Sequence, residues 1–204
     1  AGNFFLSQPG LSSWAGIYVR DFDILPNVGD KIDLTATVNE YYSFTQLIDV
    51  STYSVLSSNN PVVPLSIDTG ELGIDCSQGG ESYEGMLVKV YDVTVEGIDE
   101  FGNIEIDDGS GSTLMDAYYF DTDGSWPSIS VGDNISSIIG NVGYSYSEFK
   151  IYPRNEGDFS SCVAMGDING DGGWNVLDIV GLANCILANN CEQSENGCAG
   201  DING

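Results

Sequence analysis

The chain has 204 residues, 42% of them hydrophobic, which is enough apolar material for folded cores and suits one to three small domains. Five basic residues (Arg20, Lys31, Lys89, Lys150 and Arg154) face 31 acidic ones, for a net charge of -26. This balance excludes the Lys and Arg clusters that nucleic-acid binding needs and opposes anionic membrane surfaces, while the absence of any His excludes Ser-His-Asp triads, Cys-His dyads and His-ligated zinc.

From the start of the chain to about residue 160, short strand-like runs alternate with turns rich in Gly, Asn, Asp and Ser. The order of these runs contains an internal repeat. Val28-Gly-Asp-Lys-Ile32 matches Val131-Gly-Asp-Asn-Ile135, and past one inserted residue Val38 matches Val142 and Leu47 matches Ile151. Both copies continue through aromatic residues, Tyr41, Tyr42 and Phe44 in the first and Tyr144, Tyr146 and Phe149 in the second. Upstream, Phe4-Phe-Leu6 corresponds to Ile104-Glu-Ile106, and Ile17-Tyr-Val19 to Leu114-Met-Asp116. The second copy opens with a long strand, Met86 to Val95, whose counterpart in the first copy would fall before Ala1. The first copy is therefore expected to lack its first strand, either through trimming of the chain or because another molecule supplies it. Residues 62–80, with Pro64 and several Gly, read as an extended connection. The aromatics of the two copies are candidates for a sugar-binding face, or they pack within their own sheets.

The strongest chemistry lies near the end of the chain. In Gly166-Asp-Ile-Asn-Gly-Asp-Gly-Gly-Trp-Asn-Val-Leu-Asp178, the residues Asp167, Asn169 and Asp171 fall at positions one, three and five of a calcium loop. Gly172 takes the sharp turn at position six, Gly173 offers its carbonyl at seven, Asn175 falls at nine, and Asp178 closes the shell at twelve. Calcium takes six to eight oxygens, and this spacing wraps that kind of donor set around one ion. Val176, Ile179, Val180, Ala183, Ile186 and Leu187 then follow helical spacing. A second start, Asp201-Ile-Asn203-Gly204, repeats Asp167-Ile-Asn-Gly170 and supplies two further candidate ligands, Asp201 and Asn203.

Cys76, Cys162, Cys185, Cys191 and Cys198 include no C-x-x-C pair, and four of them crowd the tail, where disulfides in an oxidising compartment are expected. The expected pairs are Cys191 with Cys198 and Cys162 with Cys185, with one cysteine left over or paired between molecules. Asn134-Ile-Ser136 is an N-glycosylation sequon just after a Gly-Asp turn. No apolar run approaches membrane-spanning length, and the chain has no signal peptide, as a mature secreted form would not. Carboxylate pairs such as Asp107 with Asp108 or Asp121 with Asp123 are the only hint of catalysis, and acidic turns of this kind are common in so acidic a chain.

Two resemblances follow from these residues. Gly16-Ile-Tyr-Val-Arg-Asp21, Pro26-Asn-Val-Gly-Asp30, Val38-Asn-Glu-Tyr41 and Thr45-Gln-Leu47 resemble an OB-fold-like domain of secreted bacterial proteins. Glu81-Ser-Tyr-Glu-Gly-Met-Leu-Val88 and Phe149-Lys-Ile-Tyr-Pro-Arg154 resemble the first and last strands of a second such domain. In that family, pairs of these domains accompany secreted enzymes, but no nuclease domain is visible here. The calcium loop and its helix resemble a type I dockerin repeat, a small EF-hand-like module that docks onto cohesins. Together the resemblances imply a mainly β chain of two tandem OB-like barrels followed by a small helical calcium module. The expected boundaries are 1–61 for the first barrel, 62–80 for the linker, 81–160 for the second barrel and 161–204 for the tail. The expected function is that of an extracellular, bacterial, non-enzymatic, calcium-binding structural protein. Incomplete first sheet and incomplete second loop predict head-to-tail assembly of copies into a filament, with Ala1 to Phe5 as the facing edge. The alternative is an accessory module of a larger secreted enzyme, held to a cohesin-like partner or a glycan, with neither nucleic acid nor membrane as partner.

Overall fold

The structure is a computed structural model and describes residues 3–77, 79–118, 126–160, 166–169 and 173–188, together with Cys191 and Ala199. It is mainly β. In chain order the elements are β1 (Asn3–Ser7), β2 (Gly16–Arg20), β3 (Lys31–Tyr41), β4 (Phe44–Ser57), β5 (Leu65–Ser66), α1 (Thr69–Leu72), β6 (Leu87–Ile98), β7 (Ile104–Asp107), β8 (Thr113–Met115), β9 (Asn134–Ser145), β10 (Glu148–Tyr152), β11 (Phe159–Ser160) and α2 (Val176–Ala188).

The second copy forms a closed five-stranded barrel. Its strands run in the order β6-β7-β8-β10-β9, and β9 pairs back onto β6. Within this ring β8 and β10 are parallel and the other neighbours antiparallel. The strand β6 explains why the ring closes. Its β-branched residues alternate, and Val88, Val90, Val93 and Val95 are all buried. The change from even to odd positions occurs at Asp92, whose φ of 47° breaks the alternation, while the register with β9 runs on unshifted from Tyr91–Ser137 to Val93–Ile135. Opposite these valines, Ile104, Ile106, Met115, Ile138, Val142, Phe149 and Ile151 complete one apolar core.

The first copy forms a separate four-stranded sheet in the order β1-β2-β4-β3. Its strand directions repeat those of the barrel: β1 with β2 antiparallel, β2 with β4 parallel, β3 with β4 antiparallel. Residue pairing fixes the equivalence. Val38 pairs Leu47, which is level with Val19, which pairs Phe4. In the barrel Val142 pairs Ile151, which is level with Met115, which pairs Ile104. The matches of Val38 with Val142, Leu47 with Ile151 and Phe4 with Ile104 therefore agree with the register. The match of Ile17-Tyr-Val19 with Leu114-Met-Asp116 does not: Val19 corresponds to Met115, one residue earlier. A one-residue slip would turn each side chain of the strand to the opposite face, and the buried Val19 and Met115 fix the right choice.

The two Gly-Asp turns are alike in atomic detail. Asp30 Oδ2 accepts from Asn27 N at 2.9 Å, and Asp133 Oδ2 accepts from Ser130 N at 2.8 Å. Gly29 and Gly132 both have φ near 90°, where a Cβ would be strained.

Residues 62–80 differ from the extended connection expected of them. Leu65 pairs Val88 in parallel, and Ile67 and Leu72 enter the barrel core. Asp108 accepts hydrogen bonds from the Thr69 amide at 2.9 Å and its hydroxyl at 2.8 Å, tying α1 to the loop between β7 and β8. Pro64 and four Gly make this stretch read as a connection, but Leu65, Ile67 and Leu72 have a core to enter, and burial decides their place.

Candidate functional site

In the barrel, β6 fills the space between β7 and β9 and hydrogen-bonds to both. The counterparts of β7 and β9 in the first sheet are β1 and β3, and these are its two outer strands. Among the described residues no strand lies between them. Among the described residues the first sheet is the barrel without its β6, and β1 and β3 are edge strands of the kind that a further strand can pair. The side chains reflect this. Val142 is 0% exposed in the barrel, whereas its counterpart Val38 is 67% exposed. Ile151 is buried, whereas its counterpart Leu47 is half-buried. The Gly-Asp turn reports the same gap. Gly132 N donates to Val95 O and Val95 N donates to Asp133 O, while in the first copy Gly29 O is met by Asn60 instead.

The calcium-loop residues are placed as follows. Asp167 and Asp178 are buried at 1% and 4% exposure, although both are acids. Asp178 reaches across the loop, accepting from Asn169 N at 3.2 Å through Oδ1 and from Asn175 N at 2.7 Å through Oδ2. The Asn175 bond is the main reason its carboxyl lies below the usual carboxylate range. Asn175 Oδ1 accepts from Leu177 N at 2.8 Å, so Asn175 also caps α2. Gly173 O accepts from Asn175 Nδ2 at 3.2 Å. Ile168 packs against α2 at Gly181, where a Cβ would come within 2.9 Å of its Cγ2. Asp171, Asp201 and Asn203 lie outside the described residues. Among the described residues no group of three acidic or sulfur-bearing side chains is arranged to hold a metal ion. Two buried carboxylates, a carboxamide and a backbone carbonyl on one loop are a hard-oxygen donor set of the kind calcium takes. Gly166 N, just before the loop, donates to Ala199 O at 2.7 Å.

The helix expected after the loop is present, but its apolar residues are not covered: Ile179, Ile186 and Leu187 are exposed. The cysteine pairing differs from expectation. Cys185 is bonded to Cys191, six residues on. Each cysteine forms one such bond, so neither Cys162–Cys185 nor Cys191–Cys198 holds. Cys185, in the last turn of α2, closes a local loop with Cys191 that spacing alone did not single out. Cys162 and Cys198 lie outside the described residues, and Cys76 is free and exposed.

Asn134, the sequon residue, opens β9 and is exposed, with its Oδ1 accepting from Thr94 Oγ1 at 3.0 Å. Asp107 and Asp108 serve as turn and cap acceptors for Gly109, Gly111, Thr69 and Ser110. Asp121 and Asp123 lie outside the described residues. Tyr42 and Tyr146 are exposed and occupy equivalent hairpin tips with left-handed backbone, at φ of 51° and 55°. Tyr144 instead stacks on Phe149, with ring centroids 4.8 Å apart.

Sequence reasoning passed over the seam between the two sheets. Gly16 and Gly85 meet there backbone to backbone. Trp14 N donates to Ser82 O at 2.6 Å, and Thr45 N donates to Glu84 Oε1 at 2.9 Å. Glu84 Oε2 is buried without a partner among the described residues, and burial pushes the carboxyl up to about 7. An open cleft of about 480 Å³ beside the seam is lined by Trp14, Leu65, Glu71, Ser82 and Tyr83, among others. A Gly at each copy's edge was the one available signal, and nothing in the pattern paired them.

No helix among the described residues is long and apolar enough to cross a membrane. The Cys185–Cys191 bond is compatible with an extracellular protein. In comparisons with known proteins, no family model, no curated protein and no solved structure matches the chain.

Proposed function

We propose that this chain is a secreted, non-enzymatic, calcium-binding structural protein that assembles head to tail into an extracellular filament. In this reading the first sheet accepts a strand from a neighbouring copy and becomes a second OB-like barrel. The observation that carries it is the correspondence between an open sheet and a closed barrel on one chain. The barrel supplies the template for the guest: an antiparallel strand with alternating valines, bonded to both edges. Four buried valines contribute on the order of 6 kcal/mol to such a contact, before the cost of ordering the strand. An open slot on one copy filled by a strand of another makes a heterologous contact, which propagates unless it closes a ring.

Calcium fits the same reading. Copies with a net charge of -26 repel one another, and calcium bound through Asp167, Asn169, Asp171, Gly173, Asn175 and Asp178 lowers that repulsion. Asp201 and Asn203 would take part in a second, dockerin-like site. The test is light scattering and electron microscopy of the full chain in millimolar calcium and in chelator. Fibres that dissolve in chelator support the reading; a chain that stays monomeric in calcium overturns it.

A second reading has one observation in its favour. The cleft at Trp14 combines an exposed indole with the Tyr83 ring, the Glu71 carboxylate and serine hydroxyls, groups that suit a sugar. It corresponds to an accessory module that holds a glycan, or a cohesin-like partner through the tail. Glycan binding lost in Trp14→Ala by a monomeric chain would favour it over assembly.

A further inference from the structure

Lys150 is one of five basic residues in the chain, yet it is only 3% exposed. Phe149 and Ile151 point into the barrel core, so Lys150 lies on the opposite face of β10. Its Nζ donates to Oδ1 of Asn103 at 2.7 Å, and Asn103 is itself 6% exposed. The carboxamide is held in this orientation: Nδ2 donates to Asp99 Oδ2 at 2.7 Å, and the Asn103 amide donates to Asp99 Oδ1 at 2.8 Å. Two more carboxylates reach the same Nζ, Glu148 at 3.5 Å and Asp116 at 3.8 Å. A buried primary amine thus faces a fixed carboxamide, with carboxylates beside both nitrogens.

The fold itself does not require a lysine here. The register that equates Leu47 with Ile151 equates Gln46 with Lys150 and Asn3 with Asn103. Gln46 is equally buried, at 3%, and is satisfied as a neutral amide by Asn39 Oδ1 at 2.9 Å. Only the closed barrel sets an amine against a carboxamide.

We propose that Lys150 and Asn103 join in an intramolecular isopeptide cross-link that the folded barrel forms on itself. The lysine ammonium first gives a proton to Glu148 or Asp116. The freed lone pair on Nζ attacks Cγ of Asn103, and the carbonyl electron pair moves onto Oδ1. The carbonyl re-forms as the Cγ–Nδ2 bond breaks. The proton released from Nζ on bond formation passes through the adjoining carboxylates to Nδ2, with Asp99 in contact with that nitrogen. Ammonia leaves and takes up the proton given up at the start, departing as ammonium. One ammonium and one primary amide become one secondary amide and ammonium ion, with nothing oxidised or reduced. Fixed proximity of amine and acyl carbon replaces an encounter from solution, which is the term that makes so poor an acceptor as a carboxamide reactive. The product ties β10 covalently to the turn between β6 and β7, within a barrel that a fibre would load mechanically.

The test is peptide mass mapping of the full chain, shown to be folded by cooperative unfolding, then reduced, denatured and digested with trypsin. The cross-link removes the cleavage site after Lys150 and leaves one peptide from Val90 to Arg154, lighter than its sequence by the ammonia lost, about 17 Da. Fragment spectra should join Asn103 to Lys150. Lys150→Gln, which borrows the residue of the first sheet, should restore full mass while keeping the fold, and Asn103→Ala should restore cleavage after Lys150. Release of Val90 to Lys150 and Ile151 to Arg154 at full mass from the folded wild-type chain would overturn the proposal.

Discussion

Gly16 and Gly85 touch through their backbones: a Cβ on Gly16 would lie 2.2 Å from the carbonyl carbon of Gly85. Gly85 in turn has φ of 75° and would place a Cβ 2.6 Å from Ile17 N. Neither position tolerates a side chain, because the obstruction is main chain and cannot rotate away. The open sheet and the barrel are joined at this point.

Gly16→Ala should therefore force the seam apart and destabilise the chain by about 1–3 kcal/mol, the usual cost of overpacking. Gly97→Ala is the control, since its nearest neighbours stand 3.5 Å away and belong to the side chain of Glu105. Denaturant unfolding of both variants checks this. Equal losses for the two would remove the special role of the seam.

Glu84 makes the same seam sensitive to pH. Its folded value of about 7 lies above the ordinary 4.5, so between those values the folded chain keeps a proton that the unfolded chain has released. Stability contributed by the protonated form is complete below the lower value and is lost as pH rises through the upper one. Glu84→Gln removes the loss and should stabilise the chain near pH 8 by roughly 1–2 kcal/mol, discounted for partial solvent exposure, with little effect near pH 4. Melting curves across that range decide the matter; a benefit confined to acid would contradict the sign.

Asp167→Ala or Asp178→Ala should abolish calcium binding by calorimetric titration while the barrel stays folded. Both carboxylates are buried on the loop, and removing either takes away a charged oxygen of the expected donor set. Unchanged titration of Asp167→Ala would exclude the loop as the site.

A synthetic peptide with the sequence from Leu87 to Val95 should bind the full chain and block its assembly, because it copies the strand that closes the barrel. Replacing its valines by Asp should abolish both effects. Val38→Asp in the chain should weaken peptide binding, since Val38 lines the gap that the peptide would fill. A peptide bound equally well by that variant would have docked elsewhere.

Asn134 is exposed at the start of β9 and should carry the glycan of the native chain. Native material should then exceed the sequence mass, and Asn134→Gln should return it to that mass. Native peptides covering Asn134 at their bare mass would exclude the modification.

The repeat was legible because a Gly-Asp turn, an alternating strand and a spacing recur together, and pairing of Val38 with Leu47 and Val142 with Ile151 follows from them. The strand β6 announced itself through its valines, and α2 through its helical spacing. Three features were not legible. Leu65, Ile67 and Leu72 looked like parts of a linker, since local composition carries no information about a core built by strands many residues away. The match set Val19 against Asp116, one residue past its counterpart Met115, because Tyr18 and Val19 in one strand and Leu114 and Met115 in the other are adjacent apolar residues, and period-two alternation gives no phase there. The bond between Cys185 and Cys191 depends on which of several cysteines meet in three dimensions, which spacing does not encode.

The amino-acid sequence alone determined the chemical character of this protein: an acidic chain without histidine, a loop of oxygen ligands at calcium spacing, and two copies of one strand pattern. These are properties of composition and local order, and local propensity is enough to express them. Only the tertiary structure decided that one copy closes and the other stays open. Closure requires β6 to satisfy two edges at once, β7 and β9, which are far apart in the chain. It also decided that Glu84 Oε2 is buried at the seam and that Lys150 lies against Asn103, because burial and contact between distant residues exist only once the strands have paired.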